Sequence, residues 1–325
     1  MQLDPQAQEV MDAFQSLGPK TVEVLSPEEA RKQPTPADAV EKVLQQHGES
    51  TDPEPVADVE DRTIPGPAGE IPVRVYTPMG EGPFPVLLYI HGGGWVIADL
   101  DVYDSSPRAL VNAVEAVVVS VDYRQAPEDP FPAAVEDSYA AYLWVLDNAE
   151  SLGGDSARVA VVGESAGGNL ATVVAMLARD AGVQAPAHQV LVYPITDYSF
   201  DTDSYRQYTD AKPLNAPMMK WFFSHYLTDE ADGADARVSP LRGELEGLPP
   251  TTVITAEIDP LRDDGRRYAD RLQEAGVDVE HRHYEGVTHE FFGMGAAVDK
   301  AKDAVETAAK RLRASLDRAA ETVDR

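Results

Sequence analysis

A serine flanked by glycines, Gly163-Glu164-Ser165-Ala166-Gly167, forms the pattern G-x-S-x-G, which lifts a nucleophile onto a tight corner of the chain. The glycines matter because a serine on such a corner tolerates little Cβ bulk beside it. Upstream, His91-Gly92-Gly93-Gly94-Trp95 places three consecutive glycines directly after the apolar run 85–90. Residues without a Cβ let main-chain amides close from a loop onto a developing oxyanion. The two stretches suit acyl transfer, with Ser165 attacking and the backbone N–H groups of Gly93, Gly94 and Ala166 as oxyanion donors. A phosphate loop fits less well, because no Lys follows the glycines and no helical run opens there.

A nucleophilic serine needs a base, and the base needs a carboxylate that fixes its tautomer. Among seven His, three compete near the C-terminus. His281 and His283 share one face of a predicted strand with Val277 and Val279, whereas His289 lies in the loop past its end, free to swing Nε2 toward Ser165. His289 is therefore the expected base. His91 is expected to hold the glycine loop by hydrogen bonds, and His47, His188 and His225 read as surface or packing residues. For the carboxylate, 257–264 offers Glu257, Asp259, Asp263 and Asp264. Asp259 follows the predicted strand 251–256, at the end where side chains of a parallel sheet converge, and Pro260 stiffens the turn. Glu257 is the fallback; Asp263 and Asp264 suit the first turn of the next helix, where acid complements the dipole.

These residues need a frame, and the pattern supplies one. Residues 159–162 read as a strand running into Ser165, and 170–178 as the helix that follows. Alternation and turn residues over 56–77 predict a hairpin. Apolar runs at 85–90, 116–121, 189–194 and 251–256, separated by helical stretches near 104–114 and 132–148, predict a parallel sheet. The last strand is expected over 277–284 and a closing helix over about 295–320. Residues 1–50 read as amphipathic helices, with Val10, Met11, Phe14 and Leu17 on one face and Ala39, Val40, Val43 and Leu44 on another, opened by Thr35-Pro36. Residues 195–230 carry eight aromatic side chains between two core strands. This insertion suits a cap, and Met218, Met219, Phe222 and Phe223, after Pro217, are candidate pocket walls. Core packing competes for each of them.

The chain resembles the bacterial hormone-sensitive-lipase-like esterases. Beside HGGGW and GESAGG it carries VDYRQAPE at 121–128, FPAAVED at 131–137, DPLRDDG at 259–265 and GVTHEFF at 286–292, in the family's order over roughly residues 60–295. Glu164, Ala98 and Glu290 depart from the family's commoner Asp, Gly and Gly. The resemblance implies an α/β-hydrolase fold, a mostly parallel central sheet flanked by helices, with a small helical cap. It divides the chain into a first cap segment (1–50), a first catalytic part (51–195), a second cap segment (196–230) and a second catalytic part (231–325). The order Ser165, Asp259, His289 is that of α/β-hydrolases and differs from both serine-protease orders. The implied activity is hydrolysis of short- to medium-chain carboxylic esters on a Ser165–His289–Asp259 triad, with Trp95, Met218, Phe222 and Phe223 as substrate-binding residues. Amidase or deacetylase chemistry would use the same triad, and a ligand-binding relative that has lost catalysis is the non-enzymatic alternative. A homodimer through the last strand or helix is a further implication.

Composition narrows the partners. The chain has 325 residues and a net charge of −29, which argues against nucleic acid and anionic membranes. There is no cysteine, so neither disulfides nor a thiolate metal site are expected. The scattered His lack H-E-x-x-H spacing; no metal or cofactor is expected, only a small-molecule ester. The opening MQLDP shows no basic segment followed by an apolar run, so cytoplasmic residence is the expectation. Eight Lys against nineteen Arg, with abundant Asp, also fit adaptation to a salty interior as an alternative to ordinary acidity.

Overall fold

The computed structural model describes residues 2–323. Three helices open the chain: α1 (Pro5–Ser16), α2 (Pro27–Ala30) and α3 (Pro36–His47). Thr35 starts α3 with a capping box shared with Asp38, and Gly48 ends it at φ 70°. The anticipated apolar faces are buried, apart from a half-buried Leu17 at the end of α1. There follow β1 (Asp58–Gly66), β2 (Gly69–Thr77), β3 (Phe84–Ile90), α4 (Ser105–Val114), β4 (Val117–Val121), α5 (Ala133–Asn148), β5 (Gly154–Glu164) and α6 (Ala166–Asp180). The chain continues through β6 (Gln189–Val192), α7 (Asp203–Gln207), α8 (Ala216–Tyr226), β7 (Thr251–Ile258), α9 (Arg262–Glu274), β8 (Val279–Thr288) and α10 (Asp299–Val323).

The strands form one eight-stranded sheet in the order β1-β2-β4-β3-β5-β6-β7-β8. Only the β1–β2 and β2–β4 pairings are antiparallel. The inner parallel strands β4, β3, β5, β6 and β7 are covered on both faces, which is why they carry apolar runs, whereas β8 at the sheet edge is partly exposed and polar. Alternation sorts them into two cores. Val86, Leu88 and Ile90 face one with α5, α6 and α9, while Leu87 and Tyr89 face the other with α4, α10, α1 and α3.

Two strand boundaries differ most from the sequence expectation. β5 begins at Gly154, which pairs with Phe84, well before the apolar run at 159. β8 runs to Thr288 where a strand ending at 284 was expected. The pairing slips between Ala256 and Ile258, so that the register passes from Ala256↔Tyr284 to Ile258↔Thr288. This slip lets the chain rejoin β7 just before both strands end. Asp259 and His289 therefore leave adjacent strand ends side by side.

Candidate active site

Ser165 occupies the corner between β5 and α6 at φ 56°, ψ −116°. That backbone is strained for a residue with a side chain, and its surroundings hold it there. The Ser165 amide donates to Val192 O at 2.9 Å, and the Asn169 amide donates back to Ser165 O at 3.1 Å. Both glycines of the pattern are needed sterically. A Cβ on Gly163 would lie 2.0 Å from Gly167 O, and one on Gly167 would lie 1.9 Å from Ile90 O. Helix and strand thus approach more closely than any other residue would permit.

His289 Nε2 lies 2.9 Å from Ser165 Oγ, and Nδ1 lies 2.7 Å from Asp259 Oδ2. A carboxylate only accepts, so Nδ1 carries the proton and Nε2 is left to accept from the serine hydroxyl. The second carboxylate oxygen, Oδ1, accepts from the Leu261 amide at 2.8 Å. Burial alone would depress the His289 pKa; the Asp259 charge and hydrogen bond outweigh it and hold the imidazole above its ordinary value. All three side chains are at least 96 % buried, since Ser165 is 4 %, Asp259 0 % and His289 3 % exposed. The arrangement can take a proton from Ser165 and stabilise the resulting imidazolium.

The rivals sit elsewhere. Glu257 accepts from the Gly286 amide at 2.7 Å, and Asp263 from the Ser204 amide at 2.9 Å. Asp264, in the first turn of α9, is fully buried, and burial pushes its carboxyl well up. His281 and His283 share the Thr255 hydroxyl, at 2.9 and 3.1 Å. His188 lies buried between Thr252 and Ser315, where burial drives its pKa down to about 3. His91 stacks on Tyr123 at 4.5 Å, and its Nδ1 pairs with Gly92 O at 2.9 Å. It braces the glycine loop.

That loop turns through φ 91° at Gly93 and 59° at Gly94. Among the described residues, the amides of Gly93, Gly94 and Ala166 donate to no acceptor within the fold. Gly93, Gly94, Ser165 and His289 line a cavity of about 130 Å³. Met218 and Phe222 of α8 form part of its wall, and Phe14, Val22 and Ala30 of the N-terminal segment another.

A family model described as the alpha/beta hydrolase fold matches residues 87–293. LipN, a carboxylic ester hydrolase of Mycobacterium tuberculosis, is 46% identical over 244 residues, 73% of this chain and 65% of LipN. The chain belongs to the α/β-hydrolase family, in its hormone-sensitive-lipase-like esterase branch. An ethyl acetate hydrolase of Pseudomonas putida is 39% identical over 261 residues, covering 79% of this chain and 81% of that one. The crystal structure of a thermostable esterase from Pseudomonas putida superposes with TM-score 0.87 at 38% identity, over 97% of this chain and 98% of the other. As a member of this branch the protein is a carboxylesterase.

Three expected pocket residues of this esterase, Trp95, Phe223 and Met219, lie outside the cavity wall. Trp95 adopts φ 61°, which turns its ring inward, fully buried and stacked on Tyr226 at 4.1 Å. Phe223 follows Phe222 by one position, about 100° round the helix, and packs on Trp95 at 5.2 Å and Tyr198 at 5.0 Å. Both belong to the core beneath α8. Met219, also expected at the wall, is 0 % exposed in that core. Nothing in the sequence pattern marks Arg31, whose guanidinium bonds Val96 O at 2.8 Å, Ala126 O at 3.0 Å and both Glu128 oxygens. It ties α2 to the loop that follows the glycines, and its partners are 65 to 97 residues away. Among the described residues no helix is long and apolar enough to cross a membrane.

Proposed function

We propose that this esterase hydrolyses esters with acyl chains of about two to eight carbons through an acyl-enzyme on Ser165. Ser165 Oγ attacks the acyl carbon while His289 Nε2 takes the hydroxyl proton, and Asp259 stabilises the imidazolium. The amides of Gly93, Gly94 and Ala166 bind the oxyanion. His289 then hands its proton to the departing alkoxide, which leaves as the alcohol. Water repeats the sequence on the acyl-enzyme and releases the carboxylic acid with Ser165 restored. The observation that carries this reading is the unbroken hydrogen-bond chain from Ser165 through His289 to Asp259, with the serine on the wall of a cavity.

Segments 1–50 and 196–230 act together as the cap in this proposal. Support comes from their shared lining of the cavity and from Trp221 Nε1, which donates to Leu25 O at 3.2 Å across them. Short chains are favoured by volume: about 130 Å³ compares with the roughly 150 Å³ of an apolar cavity that holds one benzene. The ethyl acetate hydrolase among the relatives supports the same end of the range. A cytoplasmic location belongs to this proposal as well.

The test is labelling and turnover of Ser165→Ala. The variant is expected to fold, to lose fluorophosphonate labelling and to lose turnover on the order of a millionfold. Retained p-nitrophenyl ester hydrolysis would overturn the mechanism. Rates that climb steadily toward long-chain triglycerides, with interfacial activation, would overturn the chain-length range.

A further inference from the structure

Beside the base stands a carboxylate that the acyl-enzyme mechanism leaves without a task. Glu290 holds φ 70°, a left-handed backbone that favours glycine. Its Oε1 lies 3.7 Å from His289 Nε2, the nitrogen facing Ser165 and opposite the one held by Asp259. Tyr103 OH donates to the same oxygen at 2.7 Å, and the side chain, 22 % exposed, lines the cavity together with Ser165.

The groups nearest it are acids, phenols and imidazoles, while Glu23, Lys20, Arg31 and Lys212 line the same cavity, the three bases beyond ion-pair distance. From the end of β5 comes Glu164, which lines with Glu290 a second cavity of about 30 Å³. Tyr89 of β3 donates to Glu164 at 2.5 Å, and Tyr193, beyond β6, donates to its other oxygen. Asp259 follows β7, and His91 follows β3. From α3 the neighbours are uncharged, Pro36, Ala37 and Val40. Among the described residues no Lys or Arg is within ion-pair distance of Glu164 or Glu290, so His289 is the nearest group that can carry a positive charge. Backbone strain kept at a site is a reason to look for function there.

We propose that Glu290 is a positioning residue for the base: its carboxylate holds the His289 imidazolium from the Nε2 side during each turnover and so sets the acid limit of the working pH range. This rests on His289 being the base. Burial pushes Glu290 up, and His289 is the largest cause acting the other way, while Glu290 is among the charges that raise His289. Each favours the charged form of the other, so the acid limb of the rate profile belongs to the pair.

The experiment is the pH dependence of kcat/KM and kcat on a p-nitrophenyl ester for the full chain. In Glu290→Gln the acid limb is expected to move to lower pH by about one unit, the low end of what a charge at this distance does. Plateau kcat should fall with KM nearly unchanged. Glu290→Gly, which suits the backbone, should shift the limb equally, and Glu290→Asp should stay closer to the parent. Tyr103→Phe should shift it the same way by less, since the lost hydrogen bond favours the ionised carboxylate. The exposed Glu285→Gln is the control. An unmoved acid limb in both Gln and Gly variants would overturn the proposal, as would a shift in one alone, which would trace to backbone. His289→Ala separates the two readings: activity surviving there removes the base itself, whereas an inactive His289→Ala with an unmoved limb in the Glu290 variants removes only the role of Glu290.

Discussion

Replacing Asp259 by Asn removes one charge and keeps the shape, and the surroundings decide which way the amide turns. Oδ1 accepts from the Leu261 amide at 2.8 Å, and that N–H is buried. Turning the Asn NH2 toward it would face donor to donor, at a cost of about 1–3 kcal/mol for the group left unpaired. The amide oxygen therefore stays on Leu261, and the NH2 faces His289 Nδ1. That nitrogen must now accept, so the imidazole proton moves to Nε2, where Ser165 Oγ at 2.9 Å needs an acceptor. The base is still present but carries the wrong tautomer. In serine hydrolases with this constellation such a change lowers kcat about 10⁴-fold, equivalent to about 5.4 kcal/mol of transition-state stabilisation. The assay is kcat on p-nitrophenyl butyrate beside the thermal unfolding midpoint, which should move little because no hydrogen bond is lost. Glu257→Gln, on the Gly286 amide, should remain near the parent. A loss below about tenfold in Asp259→Asn, or a larger one in Glu257→Gln, would refute the reasoning.

Three further outcomes are expected. Trp95→Ala should lower stability by about 3–5 kcal/mol through loss of the stack on Tyr226, read by denaturant unfolding, whereas Met218→Ala should leave stability closer to the parent and shift acyl-chain preference upward. Burial, with Glu290 next, raises Glu164 to about 7; a raised carboxyl stabilises below its unfolded value of 4.5 and loses that contribution as pH climbs through about 7. Glu164→Gln should therefore gain on the parent between pH 5 and 8, by up to about 3 kcal/mol, and parallel stability profiles would count against it. Finally, raising KCl from about 0.1 to 1 M shortens the screening length from about 10 to 3 Å, so a net charge of −29 predicts a higher unfolding midpoint and rate together. A flat midpoint would leave the carboxylates as a solubilising coat and drop the salt-adapted reading.

The parts of this site that were legible in sequence are those fixed by local backbone sterics or by strand ends. Gly163 and Gly167 could be read because no Cβ fits where they pack, and the same need shows as a spaced pair around Ser165. His289 and Asp259 could be read because parallel strands converge at their C-terminal ends. β8 ends four residues beyond the expected 284 because the slip opposite β7 is a tertiary event with no local marker. Phe223 suits the pocket by residue type and Trp95 through the family resemblance, but neither type nor motif reports a helical rotation of one position or φ 61°. Arg31 and Tyr103 bond partners between 65 and 187 residues away, for which spacing along the chain carries no signal, whereas Glu290 shows in the sequence only as a departure from the family's commoner glycine.

The glycine loop and the cavity wall are one object, and Gly94 shows why. Its φ of 59° already favours glycine. A Cβ there would also lie 2.2 Å from Phe222 Cγ, so the ring occupies the space the glycine leaves. Phe222 can take that position because Trp95, the next residue in the loop, is turned down into the core against Phe223 and Tyr226. Loop and helix interdigitate, glycine beneath phenylalanine and tryptophan beside its neighbours. A smaller side chain at 222 would enlarge the cavity and at the same time release the backbone whose amides are proposed to bind the oxyanion. Chain-length preference and oxyanion stabilisation are therefore expected to change together at this position, and separately at Met218, which lines the cavity without packing on the glycine within the contacts nearest Gly94.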